Sequence, residues 1–263
     1  MKKSARDLVR NEVKEKLSRN ELVLSMAVRL VRTVEIASIA SAAGFDSLYI
    51  DLEHNSFSVD TAGQICMAAL AVGVTPFVRV PSHEHIPRVL DGGALGVIAP
   101  HVESPADAAK IVRAAKFPPL GERSIAGNLP HFGFRALPAG DVVAALNDAT
   151  MVIVMIESAE ALDSVEEIAA VDGVDVLFIG TNDLCASLGI PGQLDHALVR
   201  DAYRRCAEAC SKNGKHLGVG GLAAHPKLTA QLIQLGARYV STGTDLSFLL
   251  SAATAKVKQM QEL

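Results

Sequence analysis

Short apolar runs recur along the chain, and between them apolar residues fall at helical spacing. The runs begin near Leu22, Ser47, Thr75, Gly96, Met151, Asp175, His216 and Tyr239. Helical patterns separate most of them, at Val34–Ala43, Val59–Ala71, Ile86–Gly92, Pro105–Lys116, Asp163–Ala170, His196–Asn213 and Pro226–Gly236. An amphipathic segment, Ser4–Leu17, precedes them, with Leu8, Val9, Val13 and Leu17 on one side, and a last helix, Leu246–Gln261, closes the chain. Glycines at Gly44, Gly73, Gly173, Gly214 and Gly236 stand where helices should stop before the next strand. Eight alternations of strand and helix predict an α/β fold, a (β/α)8 or TIM barrel, in one domain over residues 1–263. A doubly wound sheet would need fewer strands, and no G-x-G-x-x-G follows the first one.

One stretch breaks this rhythm. Between Lys116 and Asp148 the chain reads FPPLGERSIAGNLPHFGFRALPAGD, rich in Pro, Gly and aromatics and too long for an ordinary connection. It predicts a lid, a binding loop or an arm between subunits.

Composition narrows the function classes. The 263 residues are 49% hydrophobic and 21% charged, enough for a sizeable core. A net charge of −4, with no basic block or aromatic platform, argues against nucleic acid as a partner. The first residues carry mixed charges rather than the apolar core of a secretory leader, and no apolar run reaches membrane-spanning length. Cys66, Cys185, Cys206 and Cys210 form no C-x-x-C pair, which predicts buried thiols in a reducing cytoplasm.

In a parallel barrel, chemistry gathers where strands end. The fifth run, Met151–Ile156, ends in Glu157, and the sixth closes at Gly180, followed by Asp183. Two hard oxygen ligands there would suit Mg²⁺ or Mn²⁺. Equally, Glu157 is placed to cap the next helix and Asp183 to be a solvated loop acid. Asp51, Glu53 and His54 cluster after the second run, and Arg79 ends the third. Strand parity puts Phe77 and Arg79 on one face and Val78 and Val80 on the other, so Arg79 points into the mouth and needs an anion. The fourth run leads to His101 and Glu103; a lone loop histidine is more often bland, so His101 gains no role here. His83, His85, His131, His196, His216 and His225 are read as structural or surface residues. No lysine sits at a strand's carboxyl end, which argues against a Schiff base, and no G-x-S-x-G elbow is present. A carboxylate–metal site with an arginine and a histidine suits proton removal beside a carbonyl of a 2-oxo acid.

From about Leu22 to Leu250 the chain resembles the metal-dependent, class II pyruvate aldolases of the 4-hydroxy-2-oxoheptanedioate (2,4-dihydroxyhept-2-ene-1,7-dioate) aldolase family, in the citrate lyase β-chain superfamily. The motifs that carry it are DLEHNSFS at Asp51–Ser58, FVRVPS at Phe77–Ser82, PPLGERS at Pro118–Ser124, IES at Ile156–Ser158 and FIGTNDLCASLG at Phe178–Gly189. The resemblance implies a barrel of the phosphoenolpyruvate/pyruvate-binding type with an N-terminal helix and an extra C-terminal one. It implies a divalent metal, Mg²⁺, Mn²⁺ or Co²⁺, on Glu157 and Asp183. Arg79 would hold the keto or enolate oxygen of pyruvate, and His54 would serve as general base or position a water. Asp91 would orient that histidine, and Asp51 would support the same turn. Backbone N–H groups around Gly180, Thr181, Asn182 and Asp183 would receive the pyruvate carboxylate. A 4-hydroxy-2-oxo acid would then part into pyruvate and an aldehyde, as in aromatic-compound catabolism. A homo-oligomer, trimer or hexamer, is implied, with the C-terminal helix exchanged between subunits.

Departures from the family pattern are Met155 in place of a Gln, Thr181-Asn182 where Pro-Ala is usual, Leu52 in place of a Gly, and a shorter segment from Arg79 to Asp91. They leave open an enzyme that makes the same enolate by decarboxylating oxaloacetate, as macrophomate synthase does. They also leave open a barrel that binds a 2-oxo acid without turning it over.

Overall fold

The computed structural model describes residues 4–263; Met1–Lys3, part of the segment read as lacking a leader core, lie outside them. Eight strands close into a barrel in sequence order: β1 (Val23–Val28), β2 (Ser47–Asp51), β3 (Thr75–Arg79), β4 (Gly96–Ala99), β5 (Met151–Ile156), β6 (Val176–Gly180), β7 (His216–Gly220) and β8 (Ala237–Thr244). All neighbours pair in parallel, including β1 with β8. The (β/α)8 architecture expected from the alternation is the one observed.

Strand parity sorts the core into two clusters. Leu48, Ile50, Val78, Val97, Val154, Leu177 and Ile179 point outward into the helix layer. Tyr49, Phe77, Ile98, Ile153, Met155, Phe178 and Tyr239 fill the barrel. Inside, Phe178 meets Tyr49 and Tyr239 edge-on at centroid distances of 6.0 and 5.9 Å, a favoured aromatic geometry. The ring lies where β7 has no side chains: a Cβ on Gly220 would fall 2.4 Å from Phe178 Cζ.

The amino end of the barrel is plugged. A helix over Glu12–Ser18 lies there, and its Val13 and Leu17 are fully buried within the inner cluster. The single amphipathic helix expected over Ser4–Leu17 is instead two, Ala5–Leu8 and Glu12–Ser18. Asn11 explains the break. Its Oδ1 accepts the Lys14 N–H as an N-cap, and its Nδ2 donates to the carbonyls of Leu95 and Ala149, docking the segment on the barrel. The pattern over Asp163–Ala170 likewise resolves into two short helices, Ala159–Asp163 and Val165–Ala169. The long Pro/Gly-rich stretch hides a helix, Ala139–Ala149, which buries Val142, Ala145, Leu146 and Ala149 at helical spacing.

The last helix, Asp245–Gln261, buries only Asp245. Leu246, Leu249, Leu250, Val257 and Met260 are exposed along it. The Asp245 carboxylate accepts the backbone N–H groups of Arg29, Leu30 and Val31, so it fixes the turn that leaves β1. The four cysteines are free and buried, as expected. Among the described residues no helix is long and apolar enough to cross a membrane.

Candidate active site

The site is built from strand ends. Register pairs Asp51 of β2 with Arg79 of β3, so both side chains rise side by side at the carboxyl end of the barrel. Arg79 Nε donates to Asp51 Oδ1 at 2.9 Å and Nη2 to Oδ2 at 2.5 Å, a two-pronged pair. Burial alone would raise the Asp51 carboxyl. The hydrogen bonds and charge of Arg79, with the N–H groups of His54 and Glu53, hold it below the usual carboxylate range. Arg79 Nη1 also stands 2.8 Å from Glu53 Oε2. That oxygen is buried, yet it has no partner with hydrogen-bond geometry.

Glu157, just past β5, is 6% exposed. Its Oε1 accepts the His101 N–H at 2.7 Å and lies 3.2 Å from His101 Nδ1. Its Oε2 backs onto Gly180, where a Cβ would come within 2.8 Å, so only glycine leaves that oxygen its place. Burial pushes the Glu157 carboxyl up, and the charges of Asp183 and Glu53 push the same way against the His101 contacts. Asp183 stands exposed in the first turn of a short helix, Thr181–Ser187, that follows β6.

A cavity of about 400 Å³ opens at this end, lined by Asp51, His54, Arg79, Asn182 and Asp183, with Tyr49, Met155 and Phe178 at its floor. Met155 points into the barrel as parity required, and Tyr49 Oη lies 3.9 Å from its sulfur. His54 is half-exposed, with Nε2 3.8 Å from Glu53 Oε2. Thr181 was expected to offer only its backbone, and its side chain is committed elsewhere. Its hydroxyl is buried and bonds the Gly220 carbonyl at 2.6 Å and the Tyr203 hydroxyl at 2.8 Å, which leaves only its backbone for a ligand.

Asp91 stands apart from the other expected residues within the chain. It ends a helix, Ile86–Asp91, and barrel helices run opposite to the strands, so it emerges at the amino end. There it accepts from Arg123 Nη2 at 2.7 Å. Within one chain it does not reach His54.

Two residues at this rim were given no role from sequence. His101 has a left-handed backbone (φ 56°) and bridges two acids, since its Nε2 also lies 2.8 Å from Glu53 Oε1. Arg29, directly after β1, lines the cavity, with Nε 3.2 Å from Asp51 Oδ2. Both occupy the position one or two residues past an apolar run, the signal that singled out Glu157.

Among the described residues no three His, Cys, Asp or Glu side chains converge as a ready metal cage. Glu157 and Asp183, the pair expected to hold an ion, lie close enough for the charge of one to raise the carboxyl of the other.

The chain that carries this site matches a family model over residues 3–252, that of HpcH/HpaI aldolase/citrate lyase. The chain belongs to the HpcH/HpaI aldolase/citrate lyase family. This family member is 39% identical over 248 residues to a 4-hydroxy-4-methyl-2-oxoglutarate aldolase of Chaetomium globosum, covering 92% of each chain. It is 32% identical to a 2-keto-3-deoxy-L-rhamnonate aldolase of Escherichia coli, over 90% of this chain and 88% of that one. The crystal structure of an HpcH/HpaI aldolase from Desulfitobacterium hafniense superposes with a TM-score of 0.89 at 31% identity, covering 95% and 96% of the two chains. The protein is therefore an aldolase, a carbon–carbon lyase, as the motifs implied.

Proposed function

We propose that this aldolase cleaves 4-hydroxy-2-oxo acids of the 4-hydroxy-4-methyl-2-oxoglutarate kind, giving two molecules of pyruvate, with a divalent cation held by Glu157 and Asp183. The reading of the cation rests on one observation: Glu157 Oε2 is kept clear against Gly180 while its carboxyl, buried near Asp183 and Glu53, lacks a full countercharge. Mg²⁺, Mn²⁺ or Co²⁺ fits such hard oxygen donors. Bound there, the ion would supply Lewis-acid chemistry to the 2-oxo group of the substrate.

The chain's own residues do the rest. Arg79 stays charged in its buried place and directs guanidinium N–H groups at the keto oxygen, stabilising the negative charge that develops on it. Asp51 and Glu53 hold that guanidinium in place. His54, directly or through a water, takes the proton from the 4-hydroxyl. The C3–C4 bond then breaks, the C4 carbon leaves as a carbonyl, and its electron pair remains on the pyruvate enolate. A proton returned to C3 completes the second pyruvate. The backbone around Gly180, Asn182 and Asp183 supports the substrate carboxylate in this reading.

The exposed apolar residues of the last helix favour a homo-oligomer, trimer or hexamer, and four unpaired thiols suit the cytoplasm. The test is stoichiometric. Protein stripped with EDTA is given each metal in turn and 4-hydroxy-4-methyl-2-oxoglutarate, and pyruvate is counted. Two pyruvates per substrate, only with metal, is expected; no pyruvate with any metal would refute the proposal.

A further inference from the structure

We infer that Arg29 is the residue that selects the outer half of the substrate, by binding a carboxylate carried on C4. The inference rests on the aldolase reading above and adds to it the residue that distinguishes a 2-oxo-acid electrophile from a simple aldehyde.

The cavity has two permanent cations in its lining, Arg79 and Arg29. Arg79 is held deep, 7% exposed, between Asp51 and Glu53. Arg29 sits two strands away, directly after β1, with its side chain 38% exposed. Its nearest carboxylate is not its own. Asp51 already takes two hydrogen bonds from Arg79 and two from backbone N–H groups. Arg29 Nε only approaches Oδ2 at 3.2 Å, and Nη2 donates to the His54 carbonyl, also at 3.2 Å. Nη1 has no hydrogen-bond partner among the described residues. A guanidinium with an unused edge on a cavity wall suits an incoming planar anion.

Position is fixed as well as charge. The Arg29 N–H donates to Asp245 Oδ1 at 2.9 Å, and the next two N–H groups bind the same carboxylate, so the base of the side chain is anchored. The wall between Arg29 and the β6 end carries only small side chains: Gly221, Ala223, Ala224 and Gly243 line it, with the hydroxyls of Ser241, Thr244 and Ser247. That space accepts a branched C4. If the pyruvate half lies against Arg79, a carboxylate on C4 has Arg29 as the remaining cation to meet.

Two substrates isolate this contact. 4-Hydroxy-4-methyl-2-oxoglutarate carries a C4 carboxylate, and 4-hydroxy-2-oxopentanoate has the same methyl group with hydrogen in its place. Cleavage of each would be measured for wild type, Arg29→Gln and Arg29→Lys, and normalised to each protein's own deuterium exchange at the pyruvate methyl group, which needs no electrophile. A hydrogen bond to a charged group is worth roughly 10- to 100-fold in affinity. The ratio of kcat/KM for the diacid to that for the monoacid should fall by about that factor in Arg29→Gln, mainly through KM, and recover partly in Arg29→Lys. A normalised ratio that does not move, or rates that fall together for both substrates, overturns the role of Arg29. Wild-type protein that neither exchanges pyruvate protons nor cleaves either acid overturns the aldolase reading beneath it.

Discussion

At the amino end of the barrel, buried polar side chains terminate mostly on main chain, the Arg123–Asp91 pair excepted. Lys116 donates to the carbonyls of Asn147 and Thr150, Asn11 to those of Leu95 and Ala149, and His131 Nε2 bonds the Ala94 carbonyl at 3.0 Å. Asp46 and Asp175 accept strand N–H groups from Leu24 and Val152. At the carboxyl end, side chains terminate on each other: Arg29, Asp51, Arg79, Glu53, His101 and Glu157 form one chain of polar contacts around the rim. A main-chain partner cannot be displaced without unfolding a strand, whereas a side-chain partner can be exchanged for a ligand. The difference marks which end is built for stability and which for chemistry.

The sharpest break of this contrast is Glu157→Gln. It keeps the shape and removes an anionic ligand, so metal-dependent turnover should vanish and Mn²⁺ affinity, read by titration calorimetry, should collapse, with little change in the thermal midpoint. Arg79→Ala should lose at least ~100-fold in kcat if the guanidinium stabilises the developing oxyanion. A rise confined to KM would reduce Arg79 to substrate binding.

At the other end the expected effects are on stability. Burial lowers the His131 pKa to about 4, with the charge of Arg123 acting the same way. Its ring accepts no proton in the folded state near pH 6, while the unfolded chain does. Stability therefore falls as pH drops from about 6.5 towards 4, by up to about 3 kcal/mol, and is level below that. Urea melts of His131→Gln should show a flatter slope over that window. Asn11→Ala removes a helix cap and two carbonyl contacts and should cost about 1–2 kcal/mol, with kcat/KM unchanged. A loss of activity larger than the loss of fold would mean that the two ends are coupled.

Much of the rim was legible in the chain because a strand's last residue can be read from where an apolar run stops. Asp51, Arg79, Glu157 and Asp183 were found that way, and parity placed Met155 inside. The same signal was present at Arg29 and His101 but carried no acid cluster or neighbouring cation to raise it above a loop residue. His101 gains its contacts from a left-handed turn and from Glu53 on another strand, which linear spacing does not encode. Asp91 differs in another way: similarity of motif places it with His54, while the direction of its helix puts it, within one chain, at the far end beside Arg123. Helix Ala139–Ala149 was obscured by the Pro- and Gly-rich residues before it, although its apolar spacing is regular.

Val13 and Leu17, stoppering the amino end, leave the barrel open on one side only. Both fragments of a cleaved substrate must depart through the doorway by which it entered. If the substrate lies as proposed, the fragment nearer Arg29 would leave first, and the deeper pyruvate beside Arg79 would compete with the next substrate molecule for the vacated floor.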